Sequence, residues 1–381
     1  MNPACKDITS FLVMDILERA QAIEAAGHRV IHLEIGEPDF DIPDCVKEAA
    51  KKAVADGRTH YTHSLGIPEL RQAICDLHAR EYGVRVAPDR VLVTGGTSPA
   101  MLLAFGAMAV PGEHVLLTDP AYACYPNFLR FTGLVPRYVP VAEEDGFQFT
   151  PERIRVCVGD RTAGILLNSP ANPTGTLISP EAVEAACATG KTVISDEIYH
   201  GLTYGQPARC ALEFSDDALI LNGFSKRFAM TGLRLGYLIA PAAMMGLLQK
   251  LQQNLFICAS SVSQWAGLAA LNPDGLAAAE TMRRTYDVRR RALLAGLAKL
   301  GLAPRTEPTG AFYVFVRADH LHPNSLALAY DILEKAHVGV TPGIDFGPGG
   351  EGHLRFSYAN SLENIEEGLE RLGRYIADHC G

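Results

Sequence analysis

The sequence lacks the features of several classes of protein. Its longest apolar stretch, around Met101 to Val110, is roughly half of the ~20 residues that span a bilayer, so we expect no membrane partner. Nine cysteines are scattered without a Cys-x-x-Cys pair, and twelve histidines show no metal-ligand spacing. This disfavours a disulfide framework and a protein metal site. The start, Met1 to Asp7, has no signal-peptide pattern, so we expect a cytoplasmic protein with reduced thiols.

Positive charge is also scarce. The chain has 34 Lys and Arg against 43 Asp and Glu, a net charge of −9, and no basic stripe that would neutralise phosphates. Nucleic acid is therefore not an expected partner. The one basic run, Arg283 to Arg291, lies in a helical pattern and is interpreted as a solvated or interdomain helix face. With 381 residues, 48% of them apolar, the chain can form a sizeable core and two domains.

Seven short apolar runs alternate with helical or loop segments between Val91 and Ala240. They are rich in Val, Ile and Leu, and most lack polar alternation, which is typical of strands buried on both faces of a mostly parallel sheet. The alternation predicts an α/β fold in which helices sandwich a seven-stranded sheet. The runs are Val91–Thr94, His114–Thr118, Val135–Val141, Gly164–Leu167, Thr192–Ser195, Leu219–Asn222 and Arg234–Ala240.

Helical patterns lie on both sides of these runs. Asp44–Asp56 has Asp44 as its expected cap, Pro68–Tyr82 ends at a glycine, and Ser98–Val110 has Ser98 as its expected N-cap with Pro99 at the first helical position. A long pattern, Leu276–Leu300, can leave the sheet domain and enter another. The last part of the chain reads as a small α+β unit, with strands at Gly310–Arg317 and His353–Ser357 and helices at Leu326–Ala336 and Glu363–Asp378.

Small and polar residues follow the predicted strands. In open α/β sheets, ligands bind at the carboxyl ends of the strands, and a random scatter of turn residues would be divided between both edges. The residues concerned are Gly95-Gly96-Thr97, Pro120-Ala121-Tyr122, Asn172, Asp196 and Lys226. The glycine turn before the third helix offers free N–H groups and a positive helix end to an anion, although in isolation it is an ordinary strand-to-helix turn.

Lys226 is the most informative single residue. It follows Ser225, and Arg234 lies eight positions on. A lysine can form a Schiff base with an aldehyde cofactor, and an arginine can bind the cofactor's phosphate through two parallel hydrogen bonds. Because a lysine with a pKa of about 10.4 is a poor base at neutral pH, we expect a desolvated, cationic setting that lowers its pKa. The alternative is a surface lysine.

Asp196 follows a buried-strand pattern, where an unpaired carboxylate is costly. The protonated ring nitrogen of a cofactor is a suitable partner, with about 4 kcal/mol of gross attraction at an effective dielectric near 20. The alternative is an aspartate that caps the next turn.

Three segments together resemble the class I/II aminotransferases, which are pyridoxal phosphate (PLP) enzymes of fold type I. They are Asn168-Ser-Pro-Ala-Asn-Pro-Thr-Gly175, Ser195-Asp-Glu-Ile-Tyr199 and Asn222–Arg234, and the resemblance extends from about Ile31 to Tyr358. It implies a large PLP-binding domain of residues 40–282 and a smaller α+β domain of residues 1–39 plus 283–381. It also implies a homodimer with the active site at the subunit boundary.

The resemblance implies a role for each candidate residue. Lys226, Asp196 and Tyr199 would be catalytic, with Lys226 holding PLP and moving a proton, and Asp196 pairing with the pyridine nitrogen. Asn172 and Tyr199 would bind the ring oxygen, although Asn-Pro is also a common turn pair. Tyr122 would stack on the ring, with a core aromatic as the alternative. The phosphate would be bound by Gly96, Thr97, Ser225 and Arg234, and by Tyr61 of the other subunit. Arg355 would bind the substrate α-carboxylate, helped by Gly36 and Asn172.

These roles imply an amino acid aminotransferase with a ping-pong reaction. An α-amino group passes to a 2-oxo acid, for which 2-oxoglutarate is the expected acceptor, and the donor is aspartate or an aromatic amino acid. The alternatives are a PLP-dependent carbon–sulfur β-lyase on the same fold and a non-catalytic PLP-binding regulator. One scaffold serves many substrates, so the fold cannot decide among them.

Overall fold

The computed structural model describes residues 6–108 and 110–379, which form twelve helices and twelve strands besides short 3-10 turns. The helices are α1 Leu12–Ala25, α2 Asp44–Ala55, α3 Pro68–Tyr82, α4 Thr97–Met108, α5 Tyr125–Phe131, α6 Pro151–Cys157, α7 Pro180–Cys187, α8 Ala242–Leu255, α9 Ser261–Ala270, α10 Pro273–Lys299, α11 Ser325–Ala336 and α12 Leu362–His379. The strands are β1 Ile31–His32, β2 Val91–Thr94, β3 His114–Asp119, β4 Val135–Pro140, β5 Thr162–Asn168, β6 Thr192–Asp196, β7 Leu219–Gly223, β8 Gly236–Ile239, β9 Tyr313–Arg317, β10 Val338–Gly339, β11 Thr341–Pro342 and β12 His353–Ser357.

A seven-stranded sheet forms the centre of the protein, in the order β2-β8-β7-β6-β5-β3-β4. The pairs from β7 through β6, β5 and β3 to β4 are parallel, whereas β8 is antiparallel to both of its neighbours. β2 therefore runs in the same direction as β7, and β8 alone is reversed. The prediction of a mostly parallel, seven-stranded α/β sheet is confirmed.

Both faces of this sheet are covered, as the apolar runs predict. Along β2, Val91 and Val93 belong to one core cluster and Leu92 to the other. The same alternation occurs in β5, where Ile165 and Leu166 point to opposite clusters. The edge strand β4 differs, because its exposure alternates along the strand and only Val139 is fully buried.

Two smaller sheets lie in the N- and C-terminal parts of the chain. β11, β12 and β9 form an antiparallel sheet, and β1 pairs in parallel with β10. The backbone N–H of Ser357 also donates to the carbonyl of Leu33 at 2.7 Å. These bonds join the N-terminal segment to the C-terminal unit. The predicted boundary at 282/283 lies inside α10, so this helix extends across it.

The basic run lies on α10 and is only partly solvated. Arg289 is largely buried and donates two hydrogen bonds to Asp39, at 2.7 and 2.9 Å. Arg290 is also buried and pairs with Asp287 at 2.9 Å and with Glu307. Arg291 remains mostly exposed. The run therefore combines an internal face, which binds the segment before α2, with a solvated face.

Two predicted caps are wrong. Asp44 is the first residue of α2 and not its cap, since the N-cap is Pro43 and no side chain caps this end. Helix α4 begins at Thr97, so Ser98 and Pro99 lie inside its first turn. The reason is the turn at Gly96, whose φ of +100° directs the chain into the helix one residue earlier.

Seven cysteines in the described ranges are free, and Cys5 and Cys380 lie outside these ranges. Within residues 6–108 and 110–379, no helix combines the length and apolar character needed to cross a membrane.

Candidate active site

One cavity lies at the carboxyl edge of the central sheet, between that edge, the start of α1 and the C-terminal sheet. It encloses about 230 Å³. Five predicted site residues that line it carry polar side chains suited to binding or catalysis: Lys226, Asp196, Tyr199, Asn172 and Arg355. Gly36, Thr97 and Tyr122 line it as well. The sheet thus brings together residues that are far apart in the sequence.

Asp196 ends β6 and is almost completely buried, with 2% of its surface exposed. The hydroxyl of Tyr125 donates to its Oδ2 at 2.6 Å, and the backbone N–H of Ile198 donates to its Oδ1 at 3.2 Å. Burial raises the pKa of Asp196 to about 6, although both hydrogen bonds act in the opposite direction. A cation beside this carboxylate would offset the cost of burial. The site therefore fits a protonated ring nitrogen.

Tyr125 gives a testable consequence, because its hydroxyl is a partner of the carboxylate. Tyr125→Phe removes a hydrogen bond to a charged group, which is worth about 1.5–3 kcal/mol, so we expect roughly ten- to hundredfold weaker PLP binding. Equilibrium titration of the cofactor-free protein with PLP measures this. Tyr330→Phe, a partly buried tyrosine on α11 that does not line the cavity, is the control. Equal PLP affinity in the Tyr125→Phe and control variants would contradict the role of Tyr125.

The Lys226 side chain projects into the cavity. Its Nζ donates to the carbonyl of Gly36 at 2.5 Å and lies 5.8 Å from the centre of the Phe312 ring. Burial lowers the pKa of Lys226 to about 8, and Arg355 and Arg234 lower it further, against the opposing charges of Glu37 and Asp196. A lowered pKa of Lys226 is what the sequence predicts. Burial is the larger cause, and the charge of Arg234 is a smaller one.

The lowered pKa predicts how fast PLP attaches to the cofactor-free protein. Only the neutral amine is a nucleophile, and lowering the pKa increases the neutral fraction at a given pH. The attachment rate should therefore rise with pH and reach half of its maximum near pH 8, not near the ordinary lysine pKa of about 10.5. Stopped-flow absorbance measures this rate. A midpoint at pH 10 or above would contradict the environment described for Lys226.

An anion-binding arrangement lies beside Lys226. The Gly95-Gly96 turn precedes the N-terminus of α4, and the Arg234 guanidinium packs so closely on it that a Cβ at Gly96 would lie 2.6 Å from Nη2. Arg234 precedes β8, and because β8 is reversed, its beginning lies at the same edge as the ends of the other strands. Ser225 is buried next to Lys226. Free N–H groups and a guanidinium at one turn fit a phosphate.

Arg355 projects from β12 and has only 2% of its surface exposed. It donates to Asn172 Oδ1 at 2.9 Å and to the carbonyl of Glu34 at 2.5 Å, and its guanidinium lies 4.3 Å from the centre of the Tyr313 ring. Among the described residues, Nε has no acceptor. A buried guanidinium with remaining donor capacity in a cavity can bind a carboxylate.

The remaining predicted residues lie in different surroundings. The Tyr199 hydroxyl is 2.8 Å from that of Tyr313, so the two form a buried pair at the cavity wall. Gly36 packs on the same pair, because a Cβ there would lie 2.2 Å from the Tyr313 hydroxyl. Gly96, Ser225 and Arg234 are not among the residues that line the cavity itself. Tyr61 is also outside it and is 80% exposed, so its role stays a prediction.

Several residues of the site are missing from the sequence-based set. Tyr125 and Tyr313 contact Asp196 and Tyr199, and Asn168 donates to the carbonyl of Asp196 at 3.2 Å and accepts from the backbone N–H of Asn172 at 2.9 Å. Asn168 was within reach of sequence reasoning, since it directly follows the predicted strand Gly164–Leu167. Within the described ranges, no cluster of three or more His, Cys, Asp or Glu residues could hold a metal ion.

A profile of the class I and II aminotransferase family matches residues 28–372. This chain belongs to that family. Members of the family use PLP, and the buried carboxylate, the lysine and the anion-binding turn fit that cofactor. The chain is therefore a PLP-dependent aminotransferase.

Individual relatives agree with this assignment. A (5-formylfuran-3-yl)methyl phosphate transaminase from Methanocaldococcus jannaschii is 41% identical over 370 residues, covering 96% of this chain and 97% of the relative. An aspartate/prephenate aminotransferase from Thermus thermophilus is 38% identical and covers 94% of both chains. A crystal structure from Methanococcus jannaschii, described as similar in its active site to kynurenine aminotransferases, has a TM-score of 0.93 and 40% identity. That match covers 99% of this chain and 100% of the other.

Proposed function

We propose that this aminotransferase transfers the α-amino group of an amino acid to a 2-oxo acid in a ping-pong reaction centred on Lys226. The observation that carries the proposal is the single cavity lined by the Lys226 amine, the Asp196 carboxylate and the Arg355 guanidinium. The Lys226 amine can bind the cofactor aldehyde and exchange with the substrate amine. The Asp196 carboxylate can pair with the protonated cofactor ring, and the Arg355 guanidinium can pair with the substrate carboxylate.

Each residue has a defined task in this proposal. Bound PLP supplies a ring that withdraws electrons from the substrate α-carbon. Asp196 would hold the cofactor through its ring nitrogen and keep that nitrogen protonated, and the Lys226 amine would move the proton of the substrate α-carbon. Arg355 binds the substrate α-carboxylate beside Asn172, while the backbone of Gly36 closes on the same group.

The other residues that would hold the cofactor line the same cavity or lie beside it. Tyr199 and Asn172 would bind the ring oxygen, and Tyr122 would pack on the ring. The Gly96 turn, Thr97, Ser225 and Arg234 would bind the phosphate, because they combine helix N–H groups with a guanidinium. The start of α1 also lines the cavity and would exclude water from it.

The proposed assembly is a cytoplasmic homodimer, in which Tyr61 reaches the phosphate bound by the other subunit. Its 80% exposed side chain is consistent with a contact outside its own chain. Residues 40–282 form the proposed large domain, and residues 1–39 plus 283–381 the small one. Sedimentation velocity tests the dimer, and Tyr61→Phe should weaken PLP binding only if the dimer forms.

The proposed acceptor is 2-oxoglutarate, and the donor is aspartate or an aromatic amino acid. Relatives named for aspartate/prephenate and for (5-formylfuran-3-yl)methyl phosphate show that related chains differ in substrate. Among the described lining residues, Lys226 and Arg355 are the only cations. A second carboxylate, such as that of 2-oxoglutarate, would therefore need a cation from outside this set, for which the partner subunit is the proposed source.

The test is a steady-state assay of the PLP-loaded protein with a panel of amino donors and either 2-oxoglutarate or pyruvate. We expect parallel double-reciprocal lines and equal amounts of new amino acid and new oxo acid. Release of pyruvate and ammonia from cystathionine without any oxo acid would instead identify a β-lyase. PLP binding without turnover of any amine would identify a regulator.

A further inference from the structure

The first turn of α1 is held by a residue from the other end of the chain. The N-cap of α1 is Phe11, whose side chain cannot cap and makes no capping bond. Instead, Asp345, which lies 333 residues beyond Leu12, accepts the Leu12 N–H at Oδ1 at 2.9 Å. Its Oδ2 accepts the Val13 N–H at 3.3 Å. A carboxylate at this position also interacts favourably with the positive end of the helix.

Asp345 is close to the carboxylate-binding arginine as well. It belongs to the 3-10 turn Gly343–Phe346, and the Phe346 ring centre lies 5.0 Å from the Arg355 guanidinium. The same segment is bound to the central sheet, since the Ala121 N–H donates to the carbonyl of Phe346 at 2.9 Å. One short segment therefore contacts α1, Arg355 and the sheet edge.

The part of α1 that Asp345 holds is the apolar wall of the cavity. Phe11, Val13, Met14 and Leu17 all line it. Phe11 packs edge-on against Tyr122 with the ring centres 6.0 Å apart. These four side chains carry no hydrogen-bonding group, so this wall offers only apolar contact. Ile35 and Met101, which also line the cavity, extend its apolar surface.

The orientation of the amino acid in the cavity relates this wall to the enzyme's preference among amino donors. An amino acid at this site has its carboxylate at Arg355 and its amino group towards Lys226, so its side chain must point to another wall. Of the two described lining cations, Arg355 would pair with that carboxylate and Lys226 would act as the base beside the α-carbon, so neither would be available to the side chain. Within the described part of this chain, a side-chain carboxylate at the α1 wall would meet no cation and would depend on the one proposed from the partner subunit, whereas an apolar side chain would bury apolar surface directly on α1.

We propose that Asp345 is a positioning residue that holds the apolar first turn of α1 over the substrate side chain, and that this wall makes apolar and aromatic amino acids better donors than acidic ones. The inference rests on the proposed function and chooses between its two donor classes. Asp345 acts through α1 and does not itself touch the substrate. Without it, the Leu12 and Val13 N–H groups lose their acceptor and the first turn loosens.

The experiment measures the half-reaction of the PLP-loaded enzyme with one amino acid and no oxo acid, so that the acceptor plays no part. Phenylalanine, leucine, alanine and aspartate are compared in the wild type and in Asp345→Ala. Loss of a helix cap predicts that the concentration for half-maximal rate rises about tenfold for phenylalanine and leucine. For alanine, whose methyl group is too short to contact α1, this concentration should change less than about twofold. The limiting rates of Asp345→Ala should be similar to those of the wild type.

Two controls separate positioning from a general structural effect. Asp15→Ala removes a carboxylate from the same helix turn, where its partner is Ser10, and should leave all donors unchanged. Asp345→Asn keeps one acceptor oxygen and should restore part of the preference.

Calorimetry provides a readout without turnover. The affinity of 3-phenylpropanoate should fall about tenfold in Asp345→Ala, while PLP affinity and the cofactor's absorbance spectrum stay the same.

The outcomes distinguish this inference from the proposed function. A wild type that uses aspartate better than phenylalanine and leucine overturns the donor preference, and an equal loss for alanine and phenylalanine in Asp345→Ala overturns the positioning role. No reaction with any amino acid overturns the proposed function itself. If Asp345→Ala does not fold, Asp345→Asn and the wall variants Met14→Ala and Leu17→Ala decide. We expect a selective loss for phenylalanine and leucine in all three, smaller in Asp345→Asn than in Asp345→Ala.

Discussion

Replacement of Lys226 by alanine is expected to reduce amino transfer by at least about 10³-fold while leaving the fold intact. The residue combines a covalent bond to the cofactor with proton transfer at the α-carbon, and positioned proton transfer alone contributes about 10²- to 10⁴-fold. Its Nζ lies inside the cavity and donates to Gly36, and no other lysine lines that cavity among the described residues. No second amine is therefore placed to replace it.

The measurement for Lys226→Ala is the single-turnover rate with phenylalanine, alongside PLP binding and thermal unfolding. Lys51→Ala is the matched control, because its side chain is 72% exposed and, in the described part of the chain, its ion pair is with Glu48 on α2. We expect the Lys226 variant to bind PLP without a covalent bond and to unfold at a similar temperature. Near-normal turnover would contradict the proposed mechanism.

Arg355→Ala is expected to lower kcat/KM for every α-amino acid by about 10²- to 10³-fold, mainly through KM. Truncating one partner of a buried, hydrogen-bonded charge pair costs about 2–5 kcal/mol, and the substrate carboxylate would lose both its charge partner and its two-pronged contact. The guanidinium is fixed between Asn172, the Glu34 carbonyl and the Tyr313 ring, so it is already oriented before a substrate arrives.

Two comparisons isolate the effect of Arg355. Arg355→Lys keeps the charge but not the planar fork, so it should recover only part of the affinity. Arg317→Ala removes an exposed arginine from the neighbouring strand β9 and should have little effect. PLP affinity should change only a few-fold in all three variants. A large loss of PLP affinity with unchanged KM in Arg355→Ala would place Arg355 at the cofactor and not at the substrate.

The sheet could be predicted from the sequence because its strands are short, apolar and buried on both faces. That pattern located all seven strands of the central sheet, and the rule that ligands bind at strand ends pointed to Asp196 and Lys226. The reversal of β8 could not be predicted, since antiparallel and parallel buried strands have similar composition. It matters for the site, because it brings Arg234 to the edge where the other strands end.

Contacts between distant segments were beyond sequence reasoning. Tyr125 reaches Asp196 across 71 positions, and Asp345 reaches α1 across 333. Neither residue follows a buried strand or belongs to a recognisable turn pattern, so only the packing of the two parts of the chain reveals them. The wrong caps at Asp44 and Ser98 have a local cause, since a proline or a glycine turn sets the helix start in each case.

The most direct test of the central claim is borohydride reduction of the PLP-loaded protein, followed by peptide mass spectrometry, with and without an amino acid donor. Reduction makes the bond between cofactor and lysine permanent. We predict that the cofactor mass is found on Lys226 without a donor. With a donor it should be lost from Lys226, and one equivalent of oxo acid should appear. Cofactor on a different lysine, or labelling of Lys226 that no amino acid reduces, would contradict the account.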